Sequence, residues 1–109
     1  MKLFASLRKI REFERLELFF VKSLIDFDII IEIGYAQEQD QPLTPKQLFL
    51  MNLSSITTVR RRLKKLIDQG IVRRRRNASD QRSALLTVSS PSLKLLTKYV
   101  GVLATVFAK

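Results

Sequence analysis

The chain contains neither cysteine nor histidine in 109 residues. Lack of cysteine excludes disulfides, thiol redox sensing and cysteine-based zinc sites. Lack of histidine removes the commonest general base, the commonest metal ligand and any switch at physiological pH. Carboxylate or lysine chemistry is not strictly forbidden, but the chain reads as a non-enzyme. It has only three glycines, and no glycine loop that could cradle a nucleotide phosphate; no cofactor is expected. Long apolar runs are missing too. The longest, Tyr99 to Ala108, has ten residues, against roughly 18 needed to cross a bilayer. The opening "MKLFASLRKIR" has too short an apolar patch to act as a signal peptide. The expectation is a cytoplasmic protein without membrane contact.

What is present fits one folded domain over residues 1–109, with 46% apolar residues and no low-complexity segment. The net charge of +10 is unevenly placed. Residues 1–53 hold seven bases against eight acids, whereas residues 54–109 hold thirteen bases against Asp68 and Asp80 alone. Ten of those thirteen lie between Arg60 and Arg82. Positive charge focused on one segment suits a polyanion, most commonly nucleic acid. A solvated basic surface or a contact with acidic lipid would show the same composition.

Residues 3–21 read as a helix with no Gly or Pro to stop it, and "LELFFV" at its end is apolar nearly all round. Ser23 and Asp26 resemble a capping box for a second helix from about Leu24 that dissolves in "EQDQP". Thr44, Pro45 and Gln47 give a stronger start signal for a short third helix. Ser54 or Ser55 then caps a fourth helix lasting to Gln69, with Gly70 at its C-terminal cap. "IVRRRR" and "SALLTV" are strand-like runs about a polar turn, "NASDQR". Ser89 or Ser90, with Pro91, opens a last helix to about Phe107.

In the fourth helix Ile56, Val59, Leu63, Leu66 and Ile67 share one face, the expected buried stripe. Opposite them stand Ser54, Thr57, Thr58, Arg61 and Lys65, with Ser55 at the cap; Arg60 and Arg62 flank the stripe. Short hydroxyls with long cations beyond them suit a major groove, since arginine grips guanine at two points and cations hold phosphates. An ordinary solvated helix would look alike. In the hairpin, Arg73 and Arg75 alternate with Arg74 and Arg76 across two faces, the latter pair being the one expected to meet DNA. Arg82, near the tip, suits a narrow minor groove, and Asp80 is placed to orient it.

The stretch "LTPKQL…SSITTVRRRLKKLIDQGIVRRRRNASDQRSALLTV" resembles the winged helix-turn-helix of the MarR family of transcriptional regulators, over roughly Leu43 to Ser92. Leu66, Gly70, Arg74 and the wing's Asp80-x-Arg82 fall in register without a gap. The resemblance implies a mostly α fold with a small β-hairpin wing. It further implies a dimer that reads DNA with the fourth helix in the major groove and Arg82 in the minor groove. Phe49 stands where the family's third helix usually has alanine.

The last helix is apolar over about 200° of its wheel, twice the stripe a surface helix needs. Its excess must meet the first helix, a partner chain, or both. We expect the two end helices (3–21 and 90–107) to form a two-fold interface through Leu16, Phe19, Phe20, Leu96, Tyr99, Val100, Leu103 and Phe107. Residues 43–88 would form the DNA-binding core. The reading is therefore a homodimeric, sequence-specific binder of double-stranded DNA, a transcriptional regulator; nothing in the sequence indicates an effector. The alternative is a winged-helix protein-interaction module, or an accessory of replication or mobile elements. Structured RNA fits less well, because no aromatics interleave the basic patch.

Overall fold

The computed structural model describes residues 2–77 and 80–107, with the backbone alone for residues 77, 80–83 and 107. The elements run α1 (Leu3–Glu17), α2 (Leu24–Glu38), α3 (Pro45–Phe49), α4 (Ile56–Asp68), β1 (Val72–Asn77), β2 (Asp80–Val88) and α5 (Ser90–Phe107).

The helix boundaries follow local chemistry. Thr44 Oγ1 accepts from Gln47 N–H at 3.2 Å while Gln47 Oε1 accepts from Thr44 N–H at 2.9 Å, so the capping box forms as expected. At the far end of α4, Gly70 takes φ +76°, and Ile71 N–H and Gly70 N–H return to the carbonyls of Leu66 and Ile67. That is a Schellman closure. The end of α2 repeats it with Asp40 at φ 58°, Gln41 N–H reaching Ala36 and Asp40 N–H reaching Gln37. Between α3 and α4 the chain turns through Asn52 at φ 59°, a conformation asparagine tolerates better than most residues.

Two expectations need correction. Residues 3–21 are not one helix: α1 stops at Glu17, and Val21 N–H bonds to Leu18 O in a turn. Leaving the helix lets Leu18 and Phe20 both drop into the core, each 0% exposed, while Phe19 between them points outward. The polar turn expected over 77–82 is also largely strand. Backbone pairing makes no demand on side-chain polarity, so the polar residues here carry no strand signal.

The core gathers around α2. Ile29, Ile30 and Ile33 of α2 meet Leu48 of α3, Val59, Leu63 and Leu66 of α4, and Val72, Leu86 and Val88 of the hairpin. The hairpin root is fastened from outside: Leu86 N–H donates to Leu43 O at 2.8 Å and Val88 N–H to Gln37 Oε1 at 2.7 Å. Antiparallel pairing runs from Val72 with Val88 to Arg76 with Ala84, then shifts register before Asn77.

Helices α1 and α5 lie side by side. Tyr99 stacks on Phe13 with ring centroids 5.7 Å apart, its hydroxyl donates to Glu14 Oε2 at 2.6 Å, and Lys98 pairs with Glu17 at 3.1 Å. Partial burial, then the hydrogen bond to the Glu14 carboxylate, pushes the Tyr99 hydroxyl up to about 12. The N-terminal half of α1 and the C-terminal half of α5 extend past the core as a two-helix arm, which lengthens the molecule to 51 × 26 × 22 Å.

One buried ion pair ties the halves together. Asp26 is 0% exposed, and Arg62 of α4 grips it with two bonds, Nε to Oδ1 at 2.7 Å and Nη2 to Oδ2 at 2.8 Å. Lys22 N–H and Ser23 N–H donate to Oδ2 as well, at 2.7 and 3.2 Å. Contact with Asp26 raises the Arg62 guanidinium above its ordinary value. Removing one partner leaves the other buried and unpaired, so Asp26→Ala should cost about 3–5 kcal/mol in urea unfolding. Arg62→Ala should cost far less in the Asp26→Ala background than alone; strictly additive losses would show that the two side chains do not act as one unit.

Candidate nucleic-acid interface

The short α3, the turn through Asn52 and α4 form the helix-turn-helix, with β1 packed beside α4. Helix α4 starts where Ser55 Oγ accepts from Thr58 N–H at 3.1 Å and donates to Thr58 Oγ1 at 2.9 Å. Ser55 is therefore the cap, and Ser54 is half-buried before it.

The structure separates the cations of α4 by task. Arg62 faces inward to Asp26. Arg60 lies over the ring of Phe49, its guanidinium carbon 5.2 Å from the centroid. Phe49 thus gives Arg60 a platform on α3 through a cation–π contact. Lys64 pairs with Asp68 at 3.0 Å on the exposed surface. Arg61 and Lys65 are exposed with Thr57 on the outer face and make no ion pair among the described residues, while Thr58 is half-buried.

Ile56 departs from the expected buried stripe. It is 48% exposed, because the first residue of α4 precedes the turn that packs on α2; Val59, Leu63 and Leu66 carry the buried face.

In the hairpin Arg73, Arg74, Arg75 and Arg76 are all exposed. The register puts Arg74 and Arg76 on the same side as Val72, Leu86 and Val88, beyond the edge of the core, with Arg73 and Arg75 on the other side. Asp80 and Arg82 belong to β2, and their side chains lie outside the described residues. Sequence reasoning overlooked the Arg62–Asp26 lock and the Arg60–Phe49 stack. An aromatic where the sequence resemblance implies alanine is the one hint of the second.

Of the residues expected at a partner contact, Leu16, Phe19 and Val100 are exposed by 79, 59 and 63%. Leu96 and Tyr99 are half-buried against the core, and Leu103 is half-buried on the arm. Phe20 is a correction: wholly buried within the single chain, it has no surface to offer a partner. The side chain of Phe107 lies outside the described residues.

No group of three or more His, Cys, Asp or Glu that could hold a metal occurs among the described residues. No helix among them is long and apolar enough to cross a membrane.

No family model and no curated protein sequence matches the chain. Solved structures do. A SlyA-like transcription regulator from Listeria monocytogenes superposes with TM-score 0.60 at 20% identity, covering 89% of this chain and 59% of that one. A transcriptional regulator from Thermotoga maritima gives 0.67 at 19%, covering 94% of this chain and 70% of that one. A mutant MarR from E. coli complexed with operator DNA gives 0.62 at 16%, covering 95% and 73%. The fold is the MarR-type winged helix-turn-helix. This winged chain spans 59% of the Listeria regulator's length, and 70–73% of the other two.

The cap at Ser55 governs how the winged helix-turn-helix presents α4. Ser55→Ala should lower stability by about 1 kcal/mol in urea unfolding, and Ser55→Asp should retain most of it. Equal loss in both variants would mean that the hydroxyl acts otherwise than as a cap.

Proposed function

We propose that the chain is a sequence-specific, double-stranded DNA-binding transcriptional regulator of the MarR type that works as a homodimer. One observation carries this reading. Thr57, Arg61 and Lys65 face outward from a capped helix with β1 and its four exposed arginines packed beside it, in a fold also found in a MarR solved on operator DNA. Helix α4 enters the major groove, Arg61 contacts base edges and Lys65 a phosphate. Ser54, Ser55 and Thr58 lie at the same end, with Ser55 and Thr58 serving mainly as its cap. Arg74 and Arg76 engage phosphates along the flank, and Arg82, oriented by Asp80, enters the minor groove. Bound dimers occlude or assist polymerase at an inverted repeat whose half-sites are about one turn, ~34–36 Å, apart.

Two observations support the dimer. The arm leaves Leu3, Phe4, Leu7 and Val100 exposed by 53, 78, 41 and 63%, outside the core that Phe13 and Tyr99 still touch. Leu16 and Phe19 add exposed apolar surface at the root of the arm. Patches of that kind mark protein contacts. By this reading 3–21 and 90–107 are the dimerisation segments and 43–88 the DNA-binding core.

Selection from a random duplex pool should yield an inverted repeat. Affinity should fall steeply with salt, by a slope of about −0.9 for each phosphate engaged. Arg61→Ala should lose roughly 1–3 kcal/mol and relax preference within the half-site. A flat salt response with no enriched sequence would favour a protein-interaction module instead. For the dimer, Val100→Asp should shift sedimentation from dimer to monomer while the helical circular dichroism of the chain persists.

A further inference from the structure

Helix α2 is apolar on all sides, yet the single chain covers only one of them. Asp26, Ile29, Ile30 and Ile33 face the core, while Leu24, Ile31 and Tyr35 on the opposite side are exposed by 78, 59 and 61%. A helix without a polar face is ordinarily buried all round. The bare side is a regular ridge. Leu24, Asp28, Ile31, Tyr35 and Glu38 follow one another by four and three residues in turn, the spacing of a seam between two helices. The ridge also turns away from α4, whose buried stripe meets the core-facing side of α2, so DNA held by α4 leaves it open.

Charge narrows what can cover it. Residues 23–45 hold five acids and no base, in a chain of net charge +10. Asp28 and Glu38 are exposed and make no ion pair among the described residues. A fitting occupant is therefore a helix that carries hydrocarbon and cations on one seam. Helix α1 has such a seam: Phe4, Arg8, Arg11 and Arg15 follow by the same four and three residues, all exposed. Arg8 and Arg11 hold only pairs within their own helix, with Glu12 at 3.9 Å and Glu14 at 2.8 Å, and surface pairs of this kind are worth little. The other helices fit less well. On α5 the exposed seam of Leu93, Thr97, Val100 and Ala104 carries no cation, and on α4 the outward cations stand beside Thr57 rather than hydrocarbon. The chain's own α1 is held along α5 by the Tyr99–Glu14 and Lys98–Glu17 bonds, so a second copy must supply the helix.

Resting on the homodimer reading above, we infer that the outer ridge of α2 is the docking surface for helix α1 of a second copy of this chain. Two-fold symmetry forms the contact twice. Arginines of the one seam lie among Asp28, Glu38 and the ring of Tyr35, with Phe4 and the arginine stems covering the hydrocarbon between them.

Charge reversal tests this by sedimentation. Asp28→Lys with Glu38→Lys puts cations on both surfaces; Arg8→Glu with Arg11→Glu puts acids on both. Each double variant alone should dimerise at least about tenfold more weakly than wild type, because like charges then face each other. An equal mixture of the two should recover the dimer, since every α1 then meets a ridge of opposite charge. Asp40→Lys with Asp68→Lys, an equal change of charge off the ridge, should leave the dimer as it is. A wild-type chain that sediments as a monomer would remove the dimer reading and this inference with it. A wild-type dimer that both reversals leave intact overturns the inference alone. So does a mixture that fails to recover it, or an equal loss in the off-ridge control. A second measurement serves even where a reversal costs helical circular dichroism. The chain has no cysteine, so Arg11→Cys and Ile31→Cys chains, once mixed, should be joined to each other by a short bis-maleimide; no joined product would overturn the contact.

Discussion

The bond set around Asp26 is the constraint on which the outward face of α4 depends. A carboxylate with no exposure is costly to bury, and this one is tolerable because four donors converge on it: two from Arg62 and the amides of Lys22 and Ser23. The result is geometric more than energetic, since a well-packed apolar pair could stabilise the same contact equally well. Together with the buried stripe of Val59, Leu63 and Leu66, the bidentate fork fixes the rotation of α4 about its own axis. With Arg62 held inward, Arg61 is carried 100° away toward solvent, and Lys65 follows one turn later. The stripe leaves Arg62 at its edge, and the pair with Asp26 turns that one cation inward.

Charge is sorted by the same logic. Arg62, Lys64, Arg60 and Lys98 each have a protein partner, an acid or an aromatic ring. Among the described residues, Arg61 and Lys65 on the outer edge of α4 and the four arginines of β1 make no such pair. Those are the two elements that the Schellman closure at Gly70 brings side by side. A field focused in this way raises the local concentration of a polyanion before any specific contact forms.

What the sequence made legible was local. The Thr44–Gln47 box, the stop at Gly70 and the hydroxyl cap before Ile56 each involve residues three to five apart, and each could be read by spacing. The closure at Asp40 uses the same backbone geometry as Gly70 but lacks the glycine that announces it. Spacing puts Arg62 beside the buried stripe, yet its partner lies 36 residues earlier and no periodicity points to it. The end of α1 was missed for a similar reason. Leu18 and Phe20 continue the apolar content of the helix, and only the tertiary core distinguishes alternate burial from helical burial. The wing extends further as a strand than its residues suggest, because backbone pairing demands nothing of the side chains.

The early end of α1 has a consequence for how the two ends of the molecule communicate. Had the helix continued to Val21, Lys22 would follow as its next turn, and its amide could not meet Asp26. Breaking at Glu17 sends the chain through Leu18 and Phe20 into the core and delivers Lys22 N–H to Asp26 at 2.7 Å. The root of the two-helix arm and the middle of α4 are therefore bonded to the same carboxylate. Both bonds lie in a core packed at crystal-like density, which ties the arm and α4 to one side chain. In the proposed two-fold assembly built on the arm, the spacing between two copies of α4 would depend on Asp26 as well as on the interface itself.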